Sequence, residues 1–221
     1  MTMRNVQAPA VRAFDSPDIR QAVTALRLKL AGGARIVLGV VGAPGAGKST
    51  FSACLAGAFG PEEALVVPMD GFHLGNAIID GTPLRQRKGA PDTFDVGGYV
   101  SLLQRLRRRD EEVVYAPDFR RSIDEPVAAS IAVPAAVPLI ITEGNYLLSE
   151  DPEWQKVRAQ LDEVWFIDTA HELRLSRLVE RHMLFGMDRP AAEAWAAGSD
   201  EANARLIAAT RHRADRIITW R

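Results

Sequence analysis

The chain has 221 residues, 47% of them hydrophobic and 25% charged, which fits one soluble α/β domain with a large core. Its 27 Lys and Arg against 28 Asp and Glu give a net charge of −1, so nothing in the overall balance points to nucleic acid or an acidic membrane as partner. The single cysteine, Cys54, excludes an internal disulfide and reads as a small core residue.

The first residues, Met1 to Gln7, contain no apolar run of the kind a secretory signal needs, and the expectation is a cytoplasmic protein. Ser16, Pro17 and Asp18 form a helix start, with Ser as N-cap and Pro at the first helical position. That helix should run to about Leu30 and stop at Gly32 and Gly33. Arg35 to Val41 is a β-branched run that reads as a buried parallel strand.

The stretch from Gly42 to Thr50 reads Gly-Ala-Pro-Gly-Ala-Gly-Lys-Ser-Thr, the G-x-x-x-x-G-K-S pattern of a phosphate-binding loop. Its chemistry explains the spacing. Gly42, Ala43, Pro44, Gly45, Ala46 and Gly47 let the backbone curl until successive N–H groups point at one anion. Lys48 supplies a mobile charge for the β- and γ-phosphates, and the Ser49 hydroxyl ligates Mg²⁺. The helix expected from Lys48 to Phe59, through Thr50, turns its positive end toward the same phosphates.

Gly60-Pro61 marks a turn, and Ala64 to Asp70 a second strand that ends in a carboxylate. Residues 71 to 95 are polar, rich in Gly and Pro, and without strong periodicity, which inside a compact domain signals a functional loop region. Asp95 can cap a helix from Val96 to about Arg109, with Val96, Val100, Leu103 and Leu106 on one face. Arg105, Arg107, Arg108 and Arg109 then form a basic helix C-terminus, which the helix dipole favours without any nucleic-acid partner.

Glu112 to Ala116 and Ala128 to Val133 are expected as two short strands flanking a loop from Pro117 to Pro126. Val127 to Ile141 is apolar but broken by Pro134 and Pro138, so it does not span a membrane. Leu139 to Glu143 is another buried-strand run ending in a carboxylate. Pro152 signals a helix start, and Glu163 to Asp168 reads as a fourth core strand. Helical patterns follow from Ala170 to Phe185, around Ala191 to Ala197 and from Glu201 to His212, with a break at Gly186. Arg216 to Trp220 closes the chain as a last strand. Strands alternating with helices predict a single domain built on a doubly wound parallel sheet under a lid.

In such sheets ligands sit beyond the carboxyl ends of the strands. Asp70, Glu143 and Asp168 fall at such ends. Asp70, beside a bound nucleotide, suits a base that takes the proton of an attacking hydroxyl, or a metal-holding role through water. Glu143 suits a Mg²⁺-handling position. Each acid has the plainer alternative of capping the next helix, which is the favoured one for Asp168. Arg174, Arg177 and Arg181 share one helical face, and guanidinium groups closing over phosphates stabilise charge in the transition state. Arg177 and Arg181 are the better candidates for that, against the alternative of a solvated face paired with Glu172 and Glu180. His171, His182 and His212 have no metal-ligand spacing and read as structural or surface residues, which leaves His73 as the functional histidine.

At this point the chain resembles the phosphoribulokinase/uridine kinase/pantothenate kinase family of P-loop kinases, nearest its bacterial nucleoside/nucleotide kinase or fructose transport system kinase branch. Five stretches carry the resemblance over most of the chain: Gly42–Thr50, Met69–His73, Arg87–Asp95, Tyr115–Phe119 and Ile141–Asn145. It implies a three-layer P-loop NTPase fold with a five-stranded core in the order 2-3-1-4-5, a substrate-binding insertion at about 71–126 and a helical lid at about 170–200. It further implies ATP and Mg²⁺, Asp70 as base, Glu143 serving the metal, and His73, Arg87, Tyr115 and Phe119 lining the acceptor pocket. Dimers are common in the family. Uridine kinases have Asp-Ser-Phe-Tyr where this chain has Asp70-Gly71-Phe72-His73, and their pyrimidine-reading segment is not reproduced around Asp118.

The leading expectation is therefore an ATP-dependent kinase acting on a hydroxyl of a small metabolite, with a nucleoside, a sugar and a pantothenate-like alcohol all open. Two other classes stay in view. Asp95-Val-Gly-Gly98 matches D-x-x-G of GTPase switches, although no N-K-x-D follows, and a non-catalytic nucleotide-binding regulator is the third.

Overall fold

The computed structural model describes residues 16–221, so the N-terminal stretch read above for its missing apolar run lies outside the described residues. The centre is a parallel sheet of β1 (Ile36–Val41), β2 (Ala64–Pro68), β5 (Leu139–Gly144), β6 (Glu163–Asp168) and β7 (Arg216–Thr219), in the order β2-β5-β1-β6-β7. Counting core strands alone, this is the 2-3-1-4-5 order implied by the family resemblance.

Strand parity divides the core in two, because successive side chains point to opposite faces. Val37, Val41, Ile140, Val164 and Phe166 pack on one face, beneath α4 (Val96–Arg108) and α5 (Pro152–Arg158). Leu38, Val40, Leu139, Ile141, Trp165 and Ile167 pack on the other, beneath α1 (Pro17–Leu30) and α2 (Lys48–Phe59). Each such Val, Leu or Ile contributes about 1.5–3 kcal/mol through burial. On the second face Phe51 meets Trp165 and Trp220 edge-on, with ring centroids 6.1 and 5.4 Å away.

The helix ends follow the sequence chemistry. Ser16 caps α1 through the Ile19 N–H, and Asp95 caps α4 by accepting from the Gly98 N–H at 2.8 Å. The carboxylate needed for a D-x-x-G switch is thus committed to a helix start. The basic end of α4 is neutralised locally: Arg105 pairs with Glu111, Arg107 with Asp162 and Arg108 with Asp110, while Arg109 donates to the Ala135 carbonyl. The face of α4 turned inward is centred on Tyr99, Leu102, Leu103 and Leu106, with Val96 and Val100 only partly buried.

Two segments depart from expectation. The pair around Pro117 and Pro126 is one long hairpin, β3 (Val113–Arg120) with β4 (Glu125–Pro134), closed by a turn at 121–124. Prolines do not break it because Pro117 sits at a register shift between Ala116 and Asp118, where its missing N–H costs the ladder little. β2 stops at Pro68, and Asp70 lies in the 3-10 turn Met69–Phe72 that follows. Gly71 in that turn lies so close to the hairpin that a Cβ would approach the Pro117 carbonyl oxygen to 2.5 Å.

After the turn come the short α3 (Asn76–Ile79) and two 3-10 turns. Backbone bonds from Leu74 N to Thr93 O and from Asp95 N to Phe72 O, both 2.8 Å, close this segment on itself. Beyond β6, α6 (His171–Leu184), α7 (Arg189–Trp195), a π-helical turn (Ala196–Asp200) and α8 (Glu201–Ala209) form a helical arm, broken at Gly186 with φ 99°. No helix among the described residues is long and apolar enough to cross a membrane.

Candidate active site

Register alone brings three functional segments together. Pro68 of β2 and Val40 of β1 both lie opposite Glu143 of β5, so the phosphate-binding loop, the Met69–Phe72 turn and Glu143 emerge side by side at the carboxyl edge of the sheet. They open into a cleft of about 710 Å³ whose far walls are the β3–β4 turn and the helical arm.

The loop is held from outside. Gly45 and Gly47 have φ of 78° and 86°, left-handed values that glycine adopts without strain. A Cβ on Gly45 would fall 2.5 Å from the Arg174 carbonyl, and one on Gly47 would meet the Trp220 indole nitrogen at 2.8 Å. Arg174 itself is buried, donating to the Pro44 carbonyl at 3.2 Å and to Glu201. It therefore props the loop against the arm rather than joining the two arginines with which it shares a helix face.

Inside the cleft Lys48 donates to the Gly42 carbonyl at 2.9 Å and to Asn145 Oδ1 at 2.7 Å. Burial lowers its pKa from the usual lysine value, opposed by the charges of Glu143 and Asp70. Ser49 Oγ donates to Glu143 Oε1 at 2.7 Å. Burial pushes the Glu143 carboxyl above the ordinary range and the Asp70 charge adds to that, while Lys48 and the Ser49 hydrogen bond work against it. Asp70 faces Arg121 of the β3–β4 turn at 3.5 Å.

His73 turns Nδ1 toward the Asp70 carbonyl at 2.8 Å and packs against Phe94 and Phe119, with centroids 4.1 and 4.7 Å away and rings tilted by 43° and 48°. Burial lowers its pKa, so its neutral form is favoured. Lys88 lies 5.4 Å over the Phe119 ring and, with Arg85, pairs with Asp124. On the arm side, Arg177 and Arg181 reach into the cleft. The Nη1 of Arg177 is buried without a hydrogen-bond partner among the described residues, and an added Cβ on Gly47 would lie 3.3 Å from it. Burial lowers the pKa of both guanidinium groups, and Arg121 adds to the effect at Arg181.

Of the residues expected from sequence, Pro44, Gly45, Gly47, Lys48, Ser49, Thr50, Asp70, His73, Phe119, Glu143, Arg177 and Arg181 all line this cleft. Gly42, Ala43 and Ala46 shape the loop from behind: Lys48 bonds the carbonyls of the first two, and Ala46 accepts from the Thr169 hydroxyl at 2.9 Å.

Arg87 and Tyr115 are not in the cleft. Arg87 points outward and pairs with Asp92 at 3.1 Å, while Arg85 and Lys88 of the same stretch turn inward. On β3 the buried parity belongs to Val114 and Ala116, which leaves Tyr115 on the outer face, 57% exposed. The shift at Pro117 then changes the phase and brings Phe119 round to the cleft. Asp168 also lies elsewhere, paired with Arg211 at 3.0 Å.

Sequence reasoning missed Arg121, Asn145, Asp200 and Asn203, which line the cleft, and read His182 as structural or surface although it does too. His182 Nε2 lies 2.7 Å from Asp200 Oδ2, next to the π-helical turn. Asn145 had a visible signal, since it ends the Ile141–Asn145 motif. The others come from surface turns without a motif of their own.

The oxygen chemistry fits Mg²⁺. Among the described residues no three His, Cys, Asp or Glu side chains gather into a metal cage. Mg²⁺ requires none, because it keeps several waters and takes one or two carboxylates plus substrate phosphates. A serine hydroxyl already bonded to a buried carboxylate, with Asp70 near, is such a donor set.

No protein-family model matches the chain. It is 34% identical over 190 residues to "Putative uridine kinase C227.14" of Schizosaccharomyces pombe, covering 82% of this chain and 79% of that protein. It is also 34% identical over 188 residues to "Uncharacterized protein YggC" of Escherichia coli K12, covering 83% and 77%. Among solved structures, one titled as a "putative fructose transport system kinase" from Silicibacter sp. TM1040 superposes with a TM-score of 0.74 at 40% identity, over 85% of this chain and 90% of that one. YFH7 from Saccharomyces cerevisiae, "a putative P-loop containing kinase with a circular permutation", has the same TM-score at 17% identity, over 90% of this chain and 98% of that one, which speaks to the fold alone.

Proposed function

The chain belongs to the phosphoribulokinase/uridine kinase/pantothenate kinase family of P-loop kinases, and on that premise we propose that it transfers the γ-phosphoryl group of ATP to a hydroxyl of a small metabolite. The observation that carries this reading is the placement of two carboxylates, Asp70 and Glu143, in one cleft with the phosphate-loop lysine, near enough for both charges to act on it. Nucleotide binding alone gives no role to a second carboxylate in the cleft beside that loop.

In this reading the loop N–H groups and Lys48 hold the β- and γ-phosphates, Lys48 exchanging its bond to Asn145 for phosphate oxygens. Ser49 Oγ and the Glu143 carboxylate, with Asp70 beside them, would hold Mg²⁺, which supplies charge neutralisation for the phosphate oxygens. Asp70 takes the proton from the acceptor hydroxyl as the new O–P bond forms and the bond to the β-phosphate oxygen breaks, releasing ADP. Arg177 and Arg181 close the helical arm over the transferring group as a lid, matching its negative charge and keeping water out. His73 and Phe119 face the acceptor. A cytoplasmic location is the natural setting for such chemistry, where ATP is abundant.

The test is ADP release by the wild-type protein with ATP and Mg²⁺ over a panel of nucleosides, sugars and pantothenate-like alcohols. Stimulation by an added acceptor supports the kinase reading. ADP release that no acceptor changes would count against it.

A further inference from the structure

Arg121 stands where it hinders the chemistry just described unless something else engages it. It projects from the β3–β4 turn and faces Asp70 at 3.5 Å. It donates no hydrogen bond within the described residues, so this loose ion pair is its one polar contact there. A guanidinium held against that carboxylate occupies the side from which an acceptor hydroxyl must approach it.

A second like charge faces it. The Arg181 guanidinium, on the opposite wall of the same cleft, forms no hydrogen bond or ion pair among the described residues; burial chiefly disfavours its charged form and Arg121 adds to that, while Asp200, Asp70 and Glu143 oppose it. Two cations turned toward one space repel each other, and an anion between them is attracted to both and offsets that repulsion. The remaining cations on the acceptor side already have counter-charges, Lys88 with Asp124 and Arg85 with Asp124 and Asp80.

Resting on the kinase reading above, we infer that the acceptor carries an anionic group, a carboxylate or a phosphate, which docks on Arg121 and draws it off Asp70. Binding of the correct acceptor then frees the base, and a neutral alcohol leaves it paired. Guanidinium suits the task, since its planar fork receives either oxyanion with two parallel hydrogen bonds. The nucleotide is served separately from the other wall, by the loop N–H groups, Lys48 and Arg177. Arg121 comes instead from the turn that follows Phe119, whose ring packs at a tilt against His73.

The experiment uses matched probes on the full chain: hydroxy acids with their neutral amides, and sugar phosphates with their parent sugars. Binding to ADP-loaded protein is measured by calorimetry, and turnover by coupled ADP release. The expected result is that an anionic member binds at least about ten-fold more tightly than its neutral partner. The pair in which this happens says whether carboxylate or phosphate is read. Arg121→Gln should remove that preference and Arg121→Lys restore part of it, with the loss falling on acceptor KM rather than ATP KM.

Neutral members bound as well as anionic ones, or no binding of any anionic member, would overturn the inference. So would an Arg121→Gln variant whose defect lies in ATP affinity. Anion binding that depends on Arg121 without any transfer would instead sink the kinase reading and leave the anion site standing.

Discussion

Ser49 Oγ and Glu143 Oε1 lie 2.7 Å apart, joining the first turn of α2 to the carboxyl end of β5 in a cleft that burial has largely desolvated. Each group is a hard oxygen donor, and each would offer a lone pair to a cation once the Ser49 hydroxyl, keeping its hydrogen, turned that hydrogen away. Glu143→Gln keeps the shape and removes the charge. It should lower kcat on the order of 10²-fold, while nucleotide affinity measured without Mg²⁺ stays close to wild type. Full activity in that variant would remove Glu143 from the metal site.

The arm arginines differ from the loop lysine in what they should control. Among the described residues one buried nitrogen of Arg177 has no hydrogen-bond partner, and the Arg181 guanidinium forms no ion pair although the charges of Asp200, Asp70 and Glu143 act on it. Such groups gain most when charge develops in the transition state. Arg181→Ala is expected to lower kcat by about 10- to 10³-fold with a smaller rise in KM for ATP. Lys48→Ala should weaken nucleotide turnover severely, because no other loop side chain carries a charge. A purely KM effect in Arg181→Ala would make that arginine a ground-state contact.

Gly71 gives a steric prediction. A Cβ there would sit 2.5 Å from the Pro117 carbonyl oxygen, a backbone atom that cannot swing aside. Gly71→Ala should cost about 1–3 kcal/mol in denaturant unfolding and weaken acceptor binding by displacing the hairpin. Gly57, exposed in α2 with open space at its Cβ position, is the contrast. Gly57→Ala should gain about 0.5–1 kcal/mol from helix propensity alone.

Glu163 gives a pH prediction remote from the cleft. Burial works to raise its carboxyl, but hydrogen bonds from Lys29 and from Trp165 Nε1 hold it below the ordinary value. A depressed carboxyl stabilises the fold above its unfolded-state pKa, and that contribution is lost as pH falls through the folded-state value. Glu163→Gln should therefore cost about 1 kcal/mol near neutrality and flatten the acid limb of the unfolding profile below the unfolded glutamate's pKa of about 4.3. A slope unchanged between the two proteins would assign acid sensitivity elsewhere.

The sheet was legible because its strands are buried on both faces and read as unbroken apolar runs, and the helices because Ser16, Asp95 and Pro152 mark their starts. The phosphate loop was legible for a stronger reason, since its glycines answer a backbone requirement rather than a packing preference. The acceptor side was only half legible. Phe119 enters the cleft, and Tyr115 does not, through a register shift at Pro117 that no periodicity announces. Arg85 and Lys88 turn inward where Arg87 was expected because a 3-10 turn rotates the stretch, and Arg121 sits on a turn expected as plain loop. Asp200 and His182 meet across 18 residues of helical arm, a juxtaposition that only tertiary structure creates.

The central claim is that Asp70 serves as base for phosphoryl transfer beside a nucleotide held by Gly42–Thr50. It is tested most directly by single-turnover transfer from γ-labelled ATP, following the label into an acceptor that stimulates ADP release, in wild type and in Asp70→Asn. The account predicts labelled acceptor with the wild-type protein, and a rate lower by about 10²–10⁴-fold in Asp70→Asn with ATP affinity retained. Transfer at a near wild-type rate in Asp70→Asn would contradict it.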